Sequence, residues 1–491
     1  MEELELKFEV PKASVASLRA ALLEHGARPL TLHARYYDSA DDVLAAHGMA
    51  LRLRREGRRW VQTLKAAGAS AVSRFEHGVA LDVARGAEPD VDPTRHAAAA
   101  PSALQDVLAR LRDGTPLLER YRCDVVRLAC DLHLPDAVVE MALDLGEIGA
   151  GARTLAVSEL ELELEEGRRE ALFELGAAWA GVGGLWLDVR SKSERGLRLA
   201  RGEAGGPPVY AAAVGLDRHM GGGTLLRAVL LSALEQVLGN ASEAAAGSGG
   251  EEHVHQLRIG LRRLRTALRE LGALSARIDA RWDGVLAEAA RSLGALRDQQ
   301  AVASAVEPLL QGAGAPTTRW AMPAQEADAG AAVRQPALQR VLVEILGLAC
   351  SDAAADAPVP AGEARSLVEQ RLQRLHRRLR RAAKDFEALP REQQHRARKR
   401  LKRLRYLAEF VAPLWPHHHA ERYLSRLERA QDALGRHNDI AVAADHFGRD
   451  GQADPRSLFA AGWLGAHLQW TAHECRRELG RVTDTVRFWR G

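Results

Sequence analysis

Met1-Glu-Glu-Leu-Glu-Leu-Lys-Phe-Glu-Val10 opens the chain, and the reading of this stretch decides the fold. Glu3, Glu5 and Lys7 alternate with Leu4, Leu6 and Phe8. A period of two puts both carboxylates and the ammonium on one face of a β-strand and the apolar residues on the other. For one strand alone, a solvated polar face accounts for this. The argument rests on whether later strands repeat the pattern with complementary charge.

They do. Gly57 marks a hairpin between Leu51-Arg-Leu-Arg54, with two guanidinium groups on one face, and Trp60-Val-Gln-Thr-Leu-Lys65. Arg74 and Glu76 lie at strand spacing in Ser73–Leu81, and Arg120 and Arg122 in Glu119-Arg-Tyr-Arg-Cys-Asp124. Val139–Glu147 carries Glu140 and Asp144. Ser158-Glu-Leu-Glu-Leu-Glu-Leu-Glu165 puts Glu159, Glu161 and Glu163 on one face. Helices are expected over Lys12–Glu24, Leu104–Leu111 and about Arg168–Ala180. The segregation of acidic from basic strands has no purpose on a solvated sheet. Turned inward around a closed barrel, such strands line a polar tunnel. Its basic wall suits a polyanion, and its acidic wall suits hard divalent cations that take oxygen ligands. Together they point to phosphoryl chemistry.

These residues resemble the CYTH superfamily, the triphosphate tunnel metalloenzymes. The likeness rests on Glu3-Leu-Glu5-Leu-Lys7, Tyr36-Tyr-Asp38, Leu51-Arg-Leu-Arg54, Leu64-Lys65, Arg74-Phe-Glu76, Glu140 to Asp144, Glu159-Leu-Glu-Leu-Glu163 and Ser191-Lys192, in the family's order. It implies an α+β domain built on an antiparallel eight-stranded β-barrel tunnel, with metal-dependent hydrolysis of a triphosphate. Carried over, Glu3, Glu5, Lys7 and Lys65 are the catalytic candidates. Glu3, Glu5, Glu76, Asp144, Glu159, Glu161 and Glu163 are the candidate ligands of Mg²⁺ or Mn²⁺. Lys7, Arg52, Arg54, Lys65, Arg74, Arg120, Arg122 and Lys192 are the candidate phosphate clamps, with Arg122 preferred to Arg120. Arginine suits that role because its planar fork bonds in pairs and stays charged.

Arg201-Gly-Glu-Ala-Gly-Gly-Pro-Pro208 is a Gly/Pro-rich linker, and beyond it the periodicity becomes helical. Loops are expected at Asn240–Gly250 and Gln311–Ala332. This half holds an internal repeat. His255-Gln-Leu-Arg-Ile-Gly-Leu-Arg-Arg-Leu-Arg265 is answered 140 positions later by His395-Arg-Ala-Arg-Lys-Arg-Leu-Lys-Arg-Leu-Arg405. The basic residues keep the same spacing of three, four and three, giving one cationic stripe beside an apolar one on each helix. Leu293-Gly-Ala-Leu-Arg-Asp298 and Leu434-Gly-Arg-His-Asn-Asp439 form a second matching pair.

The paired motifs resemble the CHAD domain. That resemblance implies an all-α pair of four-helix bundles and binding of inorganic polyphosphate by basic residues. The candidates are His255, Arg258, Arg262, Arg263, Arg265, His395, Arg398, Lys399, Lys402, Arg403 and Arg405. Phosphate hydrogen bonding and helix packing both remain open as roles for the two histidines. The expected organisation is residues 1–200 for the tunnel, 201–215 for the linker and 216–491 for the helical domain, with repeats of about 216–355 and 356–491.

A chain of 491 residues with 46% hydrophobic and 27% charged content is a multidomain globular protein. The four cysteines contain no Cys-x-x-Cys pair, so neither a zinc site nor a disulfide framework is indicated. The amino terminus does not read as a signal peptide, and no apolar run is long enough to cross a bilayer. The expectation is a reduced, cytoplasmic protein with no membrane partner, with polyphosphate granules as a further address. His417-His-His419 reads as a solvated loop, and Trp463 and Trp470 as core.

Three functions are weighed. The first is hydrolysis of inorganic triphosphate to pyrophosphate and phosphate, with polyphosphate bound by the helical half. The second keeps the fold and changes the chemistry, to a CYTH-type adenylate cyclase or a thiamine or nucleoside triphosphatase. The third is a non-catalytic polyphosphate or nucleic-acid binder. No helix-turn-helix, zinc finger or aromatic RNA-binding signature supports nucleic acid as a partner.

Overall fold

Nine strands, all paired antiparallel, form the first part of the computed structural model. They are β1 (Glu2–Glu9), β2 (Arg28–Asp38), β3 (Met49–Glu56), β4 (Arg59–Ala67), β5 (Ser73–Leu81), β6 (Leu118–Leu134), β7 (Ala137–Ala150), β8 (Arg153–Gly167) and β9 (Trp186–Leu187). The order β5-β4-β3-β2-β6-β7-β8-β1 is closed by pairing of β5 with β1, giving an eight-stranded barrel with β9 added beside β1. The structure describes residues 2–68, 70–84, 87–112, 115–316, 328–452 and 454–490, without the side chains of residues 2, 112, 295–301 and 355. The side chains of Arg297 and Asp298, in the second repeated motif, therefore lie outside the described residues, as does part of the segment Gln311–Ala332.

The helices are α1 (Val15–Glu24), α2 (Val43–Ala46), α3 (Ser102–Arg112), α4 (Arg169–Trp179), α5 (Lys192–Arg201), α6 (Gly222–Ala246), α7 (Glu251–Leu271), α8 (Arg281–Ser292), α9 (Ala295–Gly312), α10 (Ala329–Val333), α11 (Pro336–Cys350), α12 (Ala361–Lys384), α13 (Arg391–Val411), α14 (His417–Asp450) and α15 (Ser457–Asp484). Two compact units result, each assembled from separate stretches. The first comprises Met1–Tyr210, Leu234–Leu257 and Ala329–Ser351. The second comprises Ala211–Ala233, Arg258–Asp328 and Asp352–Gly491.

In the first unit the strand alternation sorts three environments. Leu51, Leu64 and Met49 pack outward with Val107, Leu108 and Leu111 of α3. Leu6 faces α4, where Gly176 is required because a Cβ there would lie 2.3 Å from Leu6 Cδ1. The inner face is polar along β1, β3, β4, β5 and β8, and becomes apolar where Leu32, Ala34, Tyr36, Tyr121, Cys123, Val125, Ile148 and Val157 cluster. Leu197 and Ala200 of α5 pack on this apolar part. Gly196 brings the helix close, since a Cβ would sit 2.2 Å from the Tyr121 ring. Ser191 caps α5 in a reciprocal capping box with Glu194.

The second unit is helical, with α12 to α15 packing in sequence and α12 meeting α15. Phe386, Leu401, Phe410, Tyr423 and Leu427 fill its interior. Two expectations are corrected here. His417–His419 form the first turn of α14 rather than a loop, and Trp470 is 76% exposed rather than core. Trp463 lies flat on His467, with ring centroids 4.8 Å apart. In the first unit, α6 runs on to Ala246, so the expected loop at Asn240–Gly250 is only its last few residues.

Candidate active site in the barrel lumen

The polar inner face brings together most of the charged residues read from the strands. Lys65 on β4 reaches past β5 to both oxygens of Glu3 on β1, at 3.2 Å each, and lies 2.5 Å from Glu76. Arg74 is 2.8 Å from Glu5, and Arg52 is 3.6 Å from Glu76. Lys7 is 3.7 Å from Glu159 and donates to the Arg190 carbonyl. Lys192, the first residue of α5, meets three carboxylates: Asp144 at 2.8 Å and Glu159 and Glu161 at 2.6 Å. Arg54 shares the Arg52 face and bonds to Glu56 at 2.7 Å.

Two groups of carboxylates have ligand atoms mutually within 4.8 Å: Glu3 with Glu5 and Glu163, and Asp144 with Glu159 and Glu161. All six donors are carboxylate oxygens, the set that Mg²⁺ or Mn²⁺ takes, so the residues fit a hard divalent cation. Glu76 belongs to neither group and serves Lys65 and Arg52 instead.

Burial and charge divide the two groups. Burial raises the Glu3 carboxyl to about 9, helped by a hydrogen bond shared with Glu76. Burial likewise raises Glu163 to about 7. In the other group burial pushes in the same direction but loses to the cations. Lys192 with Arg127 holds Asp144 and Glu161 down, and Lys192 with Arg195 holds Glu159 down. Lys7 is lowered by burial.

Two expected clamps lie elsewhere. Arg122 shares a face with Asp124, 3.6 Å away, and its side chain is 56% exposed. Tyr121, Cys123 and Val125 take the inner face of β6, so Arg122 points outward and lies over Gly149. Arg120 falls at the irregularity where the β2–β6 register shifts, and pairs with Asp42 at 2.9 Å.

The inward cation of β6 is Arg127, which shares the parity of Tyr121 and Val125. It bonds to both oxygens of Asp144, and to Glu161 and Glu140. Arg195 was also missed, although its spacing of three from Lys192 puts both on one face of a helix. It bonds to Glu9 at 2.7 Å and Glu159 at 2.6 Å.

Family models match twice along the chain: the CYTH domain over residues 1–197 and the CHAD domain over residues 228–448. The chain carries a CYTH domain and a CHAD domain. An inorganic triphosphatase of Haemophilus influenzae is 28% identical over 209 residues, which is 40% of this chain. The match spans 55% of that protein, about half its length. Among solved structures, the CHAD domain of the plant Ricinus communis matches 58% of this chain and 99% of its own, with 26% identity and a TM-score of 0.47. A putative adenylyl cyclase from Hippeastrum, described as having a dominant triphosphatase activity, matches 41% of this chain and 96% of its own. Its identity is 18% and its TM-score 0.27.

Within the CHAD region, α7 carries His255 to Arg265 and α13 carries His395 to Arg405. The division between the compact units falls between Leu257 and Arg258, so His255 belongs to the first and the rest to the second. Four expected phosphate ligands are tied to carboxylates. Arg263 bonds to Glu409 at 2.6 Å and stacks over Phe410 at 4.5 Å. Arg265 bonds to Asp283 at 3.1 Å, Arg403 approaches Glu270 at 3.6 Å, and Arg405 bonds to Glu409 at 2.6 Å. His395 meets Asn438 at 3.3 Å, and burial lowers its pKa. Lys399 is exposed, while Arg262, Arg398 and Lys402 are half-buried and Arg258 is buried.

Proposed function

We propose that the CYTH barrel hydrolyses inorganic triphosphate to pyrophosphate and phosphate, and that the CHAD domain binds inorganic polyphosphate. The observation that carries the first part is the interleaving of two carboxylate groups with Lys7, Arg52, Lys65, Arg74, Arg127 and Lys192 on one inner face. A pure anion binder gains nothing from the acidic wall. Each cation here is balanced by a carboxylate, and a triphosphate arriving with divalent cations preserves that balance.

Glu3, Glu5 and Glu163 would hold one Mg²⁺ or Mn²⁺, and Asp144, Glu159 and Glu161 a second. A divalent cation there would neutralise phosphate oxygens and lower the pKa of a water. The chain's own contribution is positional. Lys7, Lys65, Arg52, Arg74, Arg127 and Lys192 orient the phosphate chain, with the arginines offering paired donors to its oxygens. The packed apolar cluster under α5 keeps bulk water from that part of the lumen.

Support for polyphosphate binding comes from the repeat itself: Arg258 and Arg262 on α7 are answered by Arg398 and Lys402 on α13, with Lys399 exposed beside them. Such a stripe concentrates a linear polyanion in a salt-dependent way. No helix among the described residues is long and apolar enough to cross a membrane. A cytoplasmic protein carried to polyphosphate granules by its CHAD domain fits this reading.

The test is phosphate release from tripolyphosphate, ATP and thiamine triphosphate with Mg²⁺ or Mn²⁺. Preference for tripolyphosphate supports the assignment. Cyclic AMP from ATP would replace it with a cyclase.

A further inference from the structure

One buried carboxylate outside the lumen bonds to the segment that supplies part of it. Glu243 lies on α6, in the sequence matched by the CHAD model, yet it belongs to the same compact unit as the barrel. Its side chain is 4% exposed. One oxygen takes Arg198 at 2.5 Å and the Gly206 amide at 3.0 Å. The other takes Arg190 at 3.3 Å and the Ser248 hydroxyl. Burial acts to raise this carboxyl, but the Ser248 bond and the two arginines hold it below its usual range.

Both arginines belong to the segment that supplies the lumen. Arg198 is on α5, the helix that carries Lys192 and Arg195. Arg190 accepts the Lys7 ammonium on its carbonyl and fixes Asp188 with its guanidinium, at 2.9 and 2.8 Å. The Asp188 amide in turn donates to the Lys7 carbonyl at 2.9 Å. Neighbouring residues reinforce the clamp. Ser242 of α6 accepts the Val189 amide at 3.1 Å, and Gln339 of α11 accepts the Leu187 amide at 2.8 Å. The strand, turn and helix that place Lys7, Lys192 and Arg195 are thus pinned from helices outside the CYTH sequence.

We infer that Glu243 is a positioning residue for the triphosphate site, acting through Arg190 on Lys7 and through Arg198 on Lys192 and Arg195. The inference rests on the triphosphatase reading above. It makes residues of the CHAD-matched sequence part of the support for the tunnel. Partners that orient ligating groups in this way are worth about 10- to 100-fold in affinity or activity.

The experiment compares Glu243→Gln with Asp356→Asn in the full chain. Asp356 is an equally buried carboxylate, paired with Arg227 at 2.6 Å in the second unit, and controls for loss of a buried ion pair as such. Turnover of tripolyphosphate with Mg²⁺ and metal-free tripolyphosphate binding by calorimetry are both measured, corrected for the folded fraction. Expected are a loss of about tenfold or more in kcat/KM and a weaker metal-free affinity for Glu243→Gln, with Asp356→Asn at wild-type values. Wild-type values in Glu243→Gln, or equal losses in the two variants, would overturn the inference. If the wild-type chain turns over no triphosphate, the functional reading fails by itself. The binding arm then decides the positioning role: weaker affinity in Glu243→Gln alone upholds it, and unchanged affinity removes it.

Discussion

The guanidinium of Arg127 faces the carboxylate of Asp144 across the β6–β7 ladder, with two hydrogen bonds of 2.8 Å. Directly paired strand residues meet in this way on the same face. Arg127 is therefore fixed beside a candidate metal ligand and points into the lumen, whereas Arg122 points out. Arg127→Ala should reduce kcat/KM for tripolyphosphate by about 100-fold, the loss of a charge-stabilising donor. Arg122→Ala should stay within about twofold, because its group is exposed and screened. Steady-state kinetics of the two variants check the assignment.

Gly196 offers a steric handle on the same site. A side chain there meets the Tyr121 ring, so α5 must shift and carry Lys192 and Arg195 with it. Gly196→Val should cost about 1–3 kcal/mol of stability, as overpacking does, and lower activity beyond the loss of folded protein. Thermal melts alongside kinetics separate the two effects.

In the CHAD region, Arg263 and Lys399 stand at opposite extremes of burial. Glu409→Ala leaves the buried Arg263 without its carboxylate, which costs about 3 kcal/mol. It should lower the melting temperature with little effect on polyphosphate affinity per folded molecule. Lys399→Glu, at an exposed position, should do the reverse: stability nearly unchanged, weaker polyphosphate binding and a shallower dependence on salt. Binding titrations at two salt concentrations, with melts, test both.

The share of stability contributed by three buried histidines should fall on mild acidification. His376, His437 and His96 are held neutral by burial, each lowered to about 4. Their folded values lie below the unfolded value of about 6.5, so the unfolded chain binds the protons. The contribution is complete above about pH 6.5 and is lost as pH falls towards 4. His376→Gln, keeping a partner for the Tyr423 hydroxyl now 2.8 Å from the ring, should flatten the slope of melting temperature over that window.

The alternation in Glu3-Leu-Glu-Leu-Lys7 and Glu159–Glu163 was legible because the inward residues there are all charged. On β6 the same rule misled. The inner face begins apolar with Tyr121, Cys123 and Val125 and turns polar only at Arg127, while the charged Arg120 and Arg122 lie off that face. Period two gives parity but not which parity is inside, and an inner face of mixed polarity removes the usual cue. The register shift at Tyr36 and Tyr37 hid the position of Arg120 further. On the helices the stripes were visible, but their acceptors were not. Glu409 lies 146 residues from Arg263, and the acceptor of Arg403, Glu270, lies on another helix. Only tertiary packing shows those cations to be already neutralised.

The most direct measurement is phosphate release from tripolyphosphate with Mg²⁺, comparing the wild-type chain with Glu5→Gln. Glu5 is buried, pairs with Arg74 and belongs to the Glu3–Glu163 carboxylate group. The account predicts metal-dependent release of one phosphate per triphosphate, lost on chelation and reduced by about 100-fold or more in Glu5→Gln. Release that persists without divalent metal, or that Glu5→Gln leaves intact, would contradict it.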